Sequence, residues 1–155
     1  MKNHYFKSFD VNKSGKDYVV GDIHGNFKEL ELLLNQIGFN EDHNRLFSTG
    51  DLCDRGPYSI EIFNWINKSW FHPARGNHED MLICYENGLL SESALEIYEA
   101  LWWKNISKEK RKALIESYLK LPTIVEIVAE NSIFGLVHAE PFYIMCKNLD
   151  ITYFS

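Results

Sequence analysis

Asp22 and His24 flank one residue in the run Gly21-Asp22-Ile23-His24-Gly25, and Asp51 and Asp54 sit close together in Gly50-Asp51-Leu52-Cys53-Asp54-Arg55-Gly56. Arg75-Gly76-Asn77-His78-Glu79 adds an amide and an imidazole, and Val137-His138-Ala139 adds another imidazole. Carboxylate, imidazole and amide donors together suit divalent cations such as manganese, iron or zinc. A carboxylate such as Asp51 can bridge two ions, and two ions about 3.5–4 Å apart can clamp an in-line displacement at phosphorus. Each piece alone has an ordinary explanation. Asp22 and His24 read as a turn with a surface histidine, and Asp51 and Asp54 as helix caps ahead of Pro57. Asn77 suits a left-handed turn, His138 a strand end, and the arginines surface ion pairs. Their occurrence together, in order and at the ends of strand-like runs, favours a single site.

The elements that must position these residues follow from periodicity. Tyr18-Val19-Val20 and residues 45–49 read as short strands, each ending at one of the acidic motifs, and a third near Trp70-Phe71 ends at residues 74–79. Between the first two, Phe27, Leu30, Leu33, Leu34 and Ile37 recur at helical spacing, with Asn26 as cap and Gly38 as stop. Pro57 opens a second helix carrying Ile60, Phe63 and Ile66. Strand and helix in alternation predict βαβ units and a parallel sheet, whose ligands bind beyond the carboxyl ends of the strands. Residues 80–121 read as a helical insertion, with Leu95, Tyr98, Leu101 and Trp102 on one stretch and Leu114, Tyr118 and Leu121 on the next, the latter capped by Ser107 and ended by Pro122. Two β-type runs follow, 123–129 and 133–137, split by a turn at Glu130-Asn131-Ser132, with His138 closing the hairpin. No repeat or linker divides the chain, so residues 1–155 are expected to form a single domain.

Composition narrows the function classes. The formal charge of −6 provides no broad electrostatic footprint for nucleic acid. No apolar run approaches membrane-spanning length and no apolar leader follows Met1, so a cytoplasmic protein without a membrane partner is expected. Cys53, Cys84 and Cys146 form no CxxC pair, and reduced thiols are the default expectation.

The three motifs resemble the GDxHG, GDxxDRG and RGNHE signatures of the phosphoprotein phosphatases, within the calcineurin-like metallophosphoesterase superfamily. Val137-His138-Ala139 is similar to the family's later histidine motif, with Glu140 where Asp or Gly is usual. The resemblance covers about residues 5–140. GNHE with DRG points to the phage- and bacterial-type Ser/Thr protein phosphatases more than to the related diadenosine tetraphosphate hydrolases, which usually read GNHD. It implies an α/β fold built on a β-sandwich core with flanking helices. It also implies two divalent ions, with Asp22, His24 and Asp51 holding the first and Asp51, Asn77 and His138 the second. Manganese is the metal expected, with iron or zinc as alternatives. His78 would be the general acid with Asp54 orienting its ring, Arg55 and Arg75 would hold phosphate oxygens, and metal-activated water would attack phosphorus without a phosphoenzyme. His4, His43 and His72 match nothing in the motifs and are expected to be structural.

One departure stands out. The family supplies a further histidine for the second metal, and often a further arginine, well after the position of His138. No histidine or arginine follows His138 here. The resemblance therefore implies a C-terminally truncated form, an incomplete second sheet and a weakened second metal site. The expected function is hydrolysis of a phosphorylated protein or small phosphoester. The alternatives are a catalytically impaired module that binds a phospho-ligand or protein, and a dinucleoside tetraphosphate hydrolase. The apolar tail, Phe142-Tyr143-Ile144-Met145 with Ile151-Thr152-Tyr153-Phe154, is expected to shield a bare strand edge within one chain or across a homodimer.

Overall fold

The computed structural model describes residues 5–138. Strands run β1 (Phe6–Phe9), β2 (Asp17–Val20), β3 (Arg45–Ser48), β4 (Phe71–Pro73), β5 (Ile124–Ala129) and β6 (Ser132–Val137). The helices are α1 (Phe27–Gln36), α2 (Ile62–Trp65), α3 (Asn77–Glu86), α4 (Ser93–Ile97) and α5 (Lys108–Tyr118), with 3-10 turns at Ser59–Glu61 and Leu101–Asn105. Strands β2, β3 and β4 form a parallel sheet in that order. In the second sheet β5 lies between β1, to which it is parallel, and β6, to which it is antiparallel.

Strand β3 shows how the layers join, because successive strand side chains point to opposite faces. Leu46 packs into a large cluster with Phe27, Leu30, Ile62, Trp65 and Trp103 from the helical side. Its neighbour Phe47 is fully buried against Val125, Ile127 and Leu136 of the second sheet, with Ala74 and the partly buried Phe9. Each such buried side chain contributes roughly 1.5–3 kcal/mol relative to exposure. This is the α/β architecture with a sandwiched core and flanking helices that the motifs implied.

The details differ where periodicity is a weak guide. Helix α1 buries Phe27, Leu30 and Leu34, but Leu33 and Ile37 face solvent. Asn26 occupies the cap position, yet its amide donates to the Ile23 carbonyl at 2.9 Å and caps nothing. The helix expected from Pro57 begins as the 3-10 turn at Ser59 and buries Ile62 and Trp65, leaving Ile60 exposed. In the helical insertion Leu95 is buried and Tyr98 and Trp102 pack against the core as expected, but Leu101 is exposed and Trp103 is fully buried instead. Ser107 does cap α5, its hydroxyl accepting from the Lys110 amide at 3.4 Å. Strand β1 was not anticipated: it is four residues long and its parallel partner begins only at Ile124.

Cys53 is a buried free thiol. No helix among the described residues is long and apolar enough to cross a membrane. The tail segments, the edge shielding and homodimer read from them, and His4, Glu140 and Cys146 lie outside the described residues.

Candidate active site

Each strand of the parallel sheet delivers one motif at its carboxyl end: β2 leads to Asp22 and His24, β3 to Asp51 and Asp54, β4 to Arg75, Asn77 and His78. His138 arrives from the other sheet, directly after β6. The connecting loops are unusual. His24, Asp51, Asp54 and Arg55 have φ of 45°, 50°, 70° and 63°, a left-handed conformation that costs a residue with a side chain roughly 1–2 kcal/mol. Such strain persists only where neighbours hold it. Here the amides of Ile23 and His24 both donate to the Asp51 carbonyl, at 3.1 and 2.8 Å, and the Arg55 amide donates to the Glu99 carbonyl at 3.2 Å. The Asp54 amide donates to the Ser59 hydroxyl at 2.9 Å. Close approach of backbone explains two glycines: a Cβ at Gly56 would run into the His24 carbonyl, and one at Gly76 into the Asp51 carboxylate.

Glu79 fastens two of these loops together. It is buried, and its carboxylate accepts from the amides of Leu52 (2.9 Å), Asp51 (3.0 Å) and Gly76 (2.8 Å). Burial, then the neighbouring Asp51 charge, pushes it up to about 7, against the lowering effect of the Leu52 and Gly76 amides. Sequence reasoning used Glu79 only as a branch marker. The signal for its structural role was its place three residues after the Gly76 cap of α3, from which a Glu reaches back to the cap amide.

The chemistry converges on Asp51, which is 3% exposed. Its Oδ1 accepts from the His78 amide at 3.0 Å. Its Oδ2 lies 3.7 Å from His24 Nε2, 3.8 Å from His78 Nε2 and 3.3 Å from His138 Nε2. Hydrogen-bond partners fix the rings, since a carbonyl can only accept. His24 Nδ1 donates to the Cys53 carbonyl at 3.1 Å, which turns the Nε2 lone pair towards the cluster, where the Arg55 guanidinium donates to it at 3.0 Å. His78 Nδ1 donates to Asp54 Oδ2 at 2.8 Å, and its ring is buried. His138 Nε2 donates to Asn77 Oδ1 at 2.8 Å, and its Nδ1 stands 3.5 Å from Asp22 Oδ1.

The donor atoms form two sets that share Asp51: His24, Asp51 and His78, and Asp22, Asp51 and His138. His78, expected as an acid only, lies among the ligand atoms around His24. Asp22 Oδ1 lies near His138 and also accepts from the Thr49 hydroxyl at 2.9 Å. Among the described residues, His78 Nε2 and His138 Nδ1 are buried with no hydrogen-bond partner. Buried polar atoms are normally satisfied, so two orphaned imidazole nitrogens beside a shared carboxylate fit a divalent cation. Arg75 is buried, with Nε 3.0 Å from Asp80 Oδ1 but not aligned as a hydrogen bond. His43 and His72 lie elsewhere, His72 packing on the rings of Phe9 and Phe47.

The family model for the calcineurin-like phosphoesterases matches residues 18–150. The chain belongs to that family. It is 33% identical over 127 residues to serine/threonine-protein phosphatase 2 of Escherichia coli, covering 79% of this chain and 57% of that protein. It is 34% identical over 127 residues to serine/threonine-protein phosphatase 1 of Salmonella typhimurium, covering 79% and 58%. Over 75 residues it is 43% identical to a symmetrical bis(5'-nucleosyl)-tetraphosphatase of Vibrio campbellii, covering 46% of this chain and 28% of that protein. Among solved structures, one provisionally named as a diadenosine tetraphosphatase superposes with a TM-score of 0.63 at 25% identity, covering 84% of this chain and 53% of that one. The chain thus spans less than three fifths of the length of the two phosphatase relatives. Divalent metal ions go with the family, and the donor sets around Asp51 are where this calcineurin-like phosphoesterase domain can hold them.

Proposed function

We propose that the chain is a metal-dependent phosphomonoesterase, a Ser/Thr or dual-specificity protein phosphatase working on phosphoprotein or small phosphoester substrates in the cytoplasm. The observation that carries this reading is the His78–Asp54 pair beside Asp51: a buried imidazole held through Nδ1 at 2.8 Å, its Nε2 free and facing the donor cluster. Asp22, His24, Asp51, Asn77 and His138 would hold two divalent ions, manganese first among those to test. When bound, such ions supply Lewis-acid charge and activated water. The protein's own residues do the rest. His78, protonated at both nitrogens, gives its Nε2 proton to the leaving oxygen. Asp54 keeps the Nδ1 proton in place and stabilises the imidazolium against its burial. Arg55 and Arg75 neutralise and orient phosphate oxygens.

A second reading, dinucleoside tetraphosphate hydrolysis, is favoured by the identity to the Vibrio campbellii protein in the stretch it covers. A third is an impaired module that only binds its phospho-ligand. Phosphate release from p-nitrophenyl phosphate and a phosphoserine peptide, and ADP formation from diadenosine tetraphosphate, each with manganese or with chelator, separate them. Manganese-dependent release from the peptide and the aryl ester supports the proposal. Cleavage of the dinucleotide alone would replace it with the second reading, and binding of the peptide without release would replace it with the third.

A further inference from the structure

Trp102 and Trp103 are neighbours in the 3-10 turn of the helical insertion, and each has its indole N–H on an acid. Trp103 is fully buried and donates to Glu86 Oε1 at 2.8 Å, where Arg111 Nε of α5 stands 3.3 Å from the same oxygen. That bond ties the insertion to α3 and is structural. Trp102 does something else. It is partly buried and donates to Asp54 Oδ1 at 2.6 Å, across 48 positions of sequence. Asp54 is therefore gripped from both sides, by Trp102 on one oxygen and by His78 Nδ1 on the other at 2.8 Å. The same short segment touches the site twice more. Glu99, at φ 55°, accepts from the Arg55 amide at 3.2 Å, and the Tyr98 ring meets the His78 ring edge-on with centroids 4.9 Å apart.

We propose that Trp102 is a positioning residue for His78, acting through Asp54. A carboxylate with one oxygen free can rotate about its last bond, and at φ 70° Asp54 sits on backbone that is itself under strain. With Oδ1 fixed by the indole, Oδ2 has one direction left, towards His78 Nδ1. The ring is then locked with its proton on Nδ1 and its Nε2 facing the cluster. The insertion is thus part of the site: it sets which nitrogen of His78 looks at the substrate. This inference rests on the acid role given to His78 above, and it has a readout that does not need turnover. Groups that orient a site histidine from behind are typically worth about 10–100-fold in activity.

The test replaces Trp102 with Phe, which keeps a ring and deletes the N–H. Benzothienylalanine at position 102 serves as the second variant, keeping the bicyclic shape with sulfur in place of the N–H. Trp103→Phe controls for damage to the insertion. Nitrogen-15 resonances of the His78 ring report the tautomer in the chain as it stands. Hydrolysis of phenyl phosphate and of p-nitrophenyl phosphate with manganese reports dependence on the leaving group. With the ring in its neutral form, the only one in which a tautomer is defined, the expected result is a single Nδ1–H tautomer in the wild type and mixed tautomers in both position-102 variants. Loss on phenyl phosphate should be about 10–100-fold, with p-nitrophenyl phosphate far less affected, while Trp103→Phe lowers the melting temperature without changing that selectivity. A pure Nδ1–H tautomer in both position-102 variants would overturn the proposal, as would mixed tautomers with unchanged selectivity. If the wild type hydrolyses neither ester, the phosphatase reading fails and the tautomer comparison alone decides the positioning of His78.

Discussion

Three amides and no cation answer the buried carboxylate of Glu79, and this is where the site is most exposed to single substitutions. Replacing Glu79 with Ala leaves the amides of Asp51, Leu52 and Gly76 without their acceptor. Orphaned buried donors cost about 1–3 kcal/mol each, so a clear fall in the urea midpoint is expected, even though Glu79 itself touches no donor nitrogen of the cluster. An unchanged midpoint would mean that the loops are held elsewhere. His78 carries the complementary prediction for chemistry. General-acid assistance is typically worth 10²–10⁴-fold, felt most by basic leaving groups, so His78→Asn should slow phenyl phosphate much more than p-nitrophenyl phosphate. Equal losses on the two esters would remove His78 from the acid role and leave it a ligand in the set with His24 and Asp51. The residues themselves were legible in the sequence because their types are rare in combination and fall at strand ends. The contact from the Thr49 hydroxyl to Asp22 was not, since nothing in the spacing of Asp22 and His24 reveals it.

At the scale of elements, β3 and β4 decide how the two sheets grip each other, and they place a histidine in that seam. His72 lies between Phe9 and Phe47, with ring centroids 4.5 and 5.4 Å away. Burial, then the nearby charges of Lys7 and Arg45, lowers it to about 4. A depressed histidine binds its proton more readily unfolded than folded, so the unfolded chain gains protons as pH falls below its ordinary value of 6.5 and stability declines. The contribution is intact above about 6.5 and is lost progressively down to about 4. Chemical denaturation across that window should show a declining midpoint, with a shallower slope in His72→Phe. A slope unaltered by that substitution would assign the decline to other groups. The strands β2 and β3, helix α1 and the hairpin were readable from periodicity, because their pairing or packing is local. Strand β1 was not: Phe6 and Phe9 do not alternate, and the partner that makes them a strand lies at Ile124–Ile127. Trp102 was read as a core position on a helical face for the same reason, since the acid that receives its N–H lies 48 residues away.

For the whole molecule, the strained loops and the shared carboxylate belong together. The non-glycine residues with positive φ among those described are His24, Asp51, Asp54, Arg55 and Glu99, all in the site or in the segment that holds it. The rest of the fold, with Phe47 and Val125 fully buried between the sheets, supplies the rigidity that keeps them there. Gly76→Ala tests that coupling without removing any polar group. Its Cβ would meet the Asp51 carboxylate, so manganese affinity should drop at least about tenfold, the scale on which disturbed outer-shell contacts act, with the sandwich core unaltered by near-ultraviolet circular dichroism. Retained affinity would show that Asp51 has room to move. The central claim is that Asp51 is the one group on which both donor sets depend. Calorimetric titration of manganese into the wild type and into Asp51→Asn measures this directly. The expected result is saturable binding by the wild type, with loss of all measurable binding in Asp51→Asn while its melting transition persists. Binding of undiminished affinity and stoichiometry in Asp51→Asn would contradict the shared-carboxylate site.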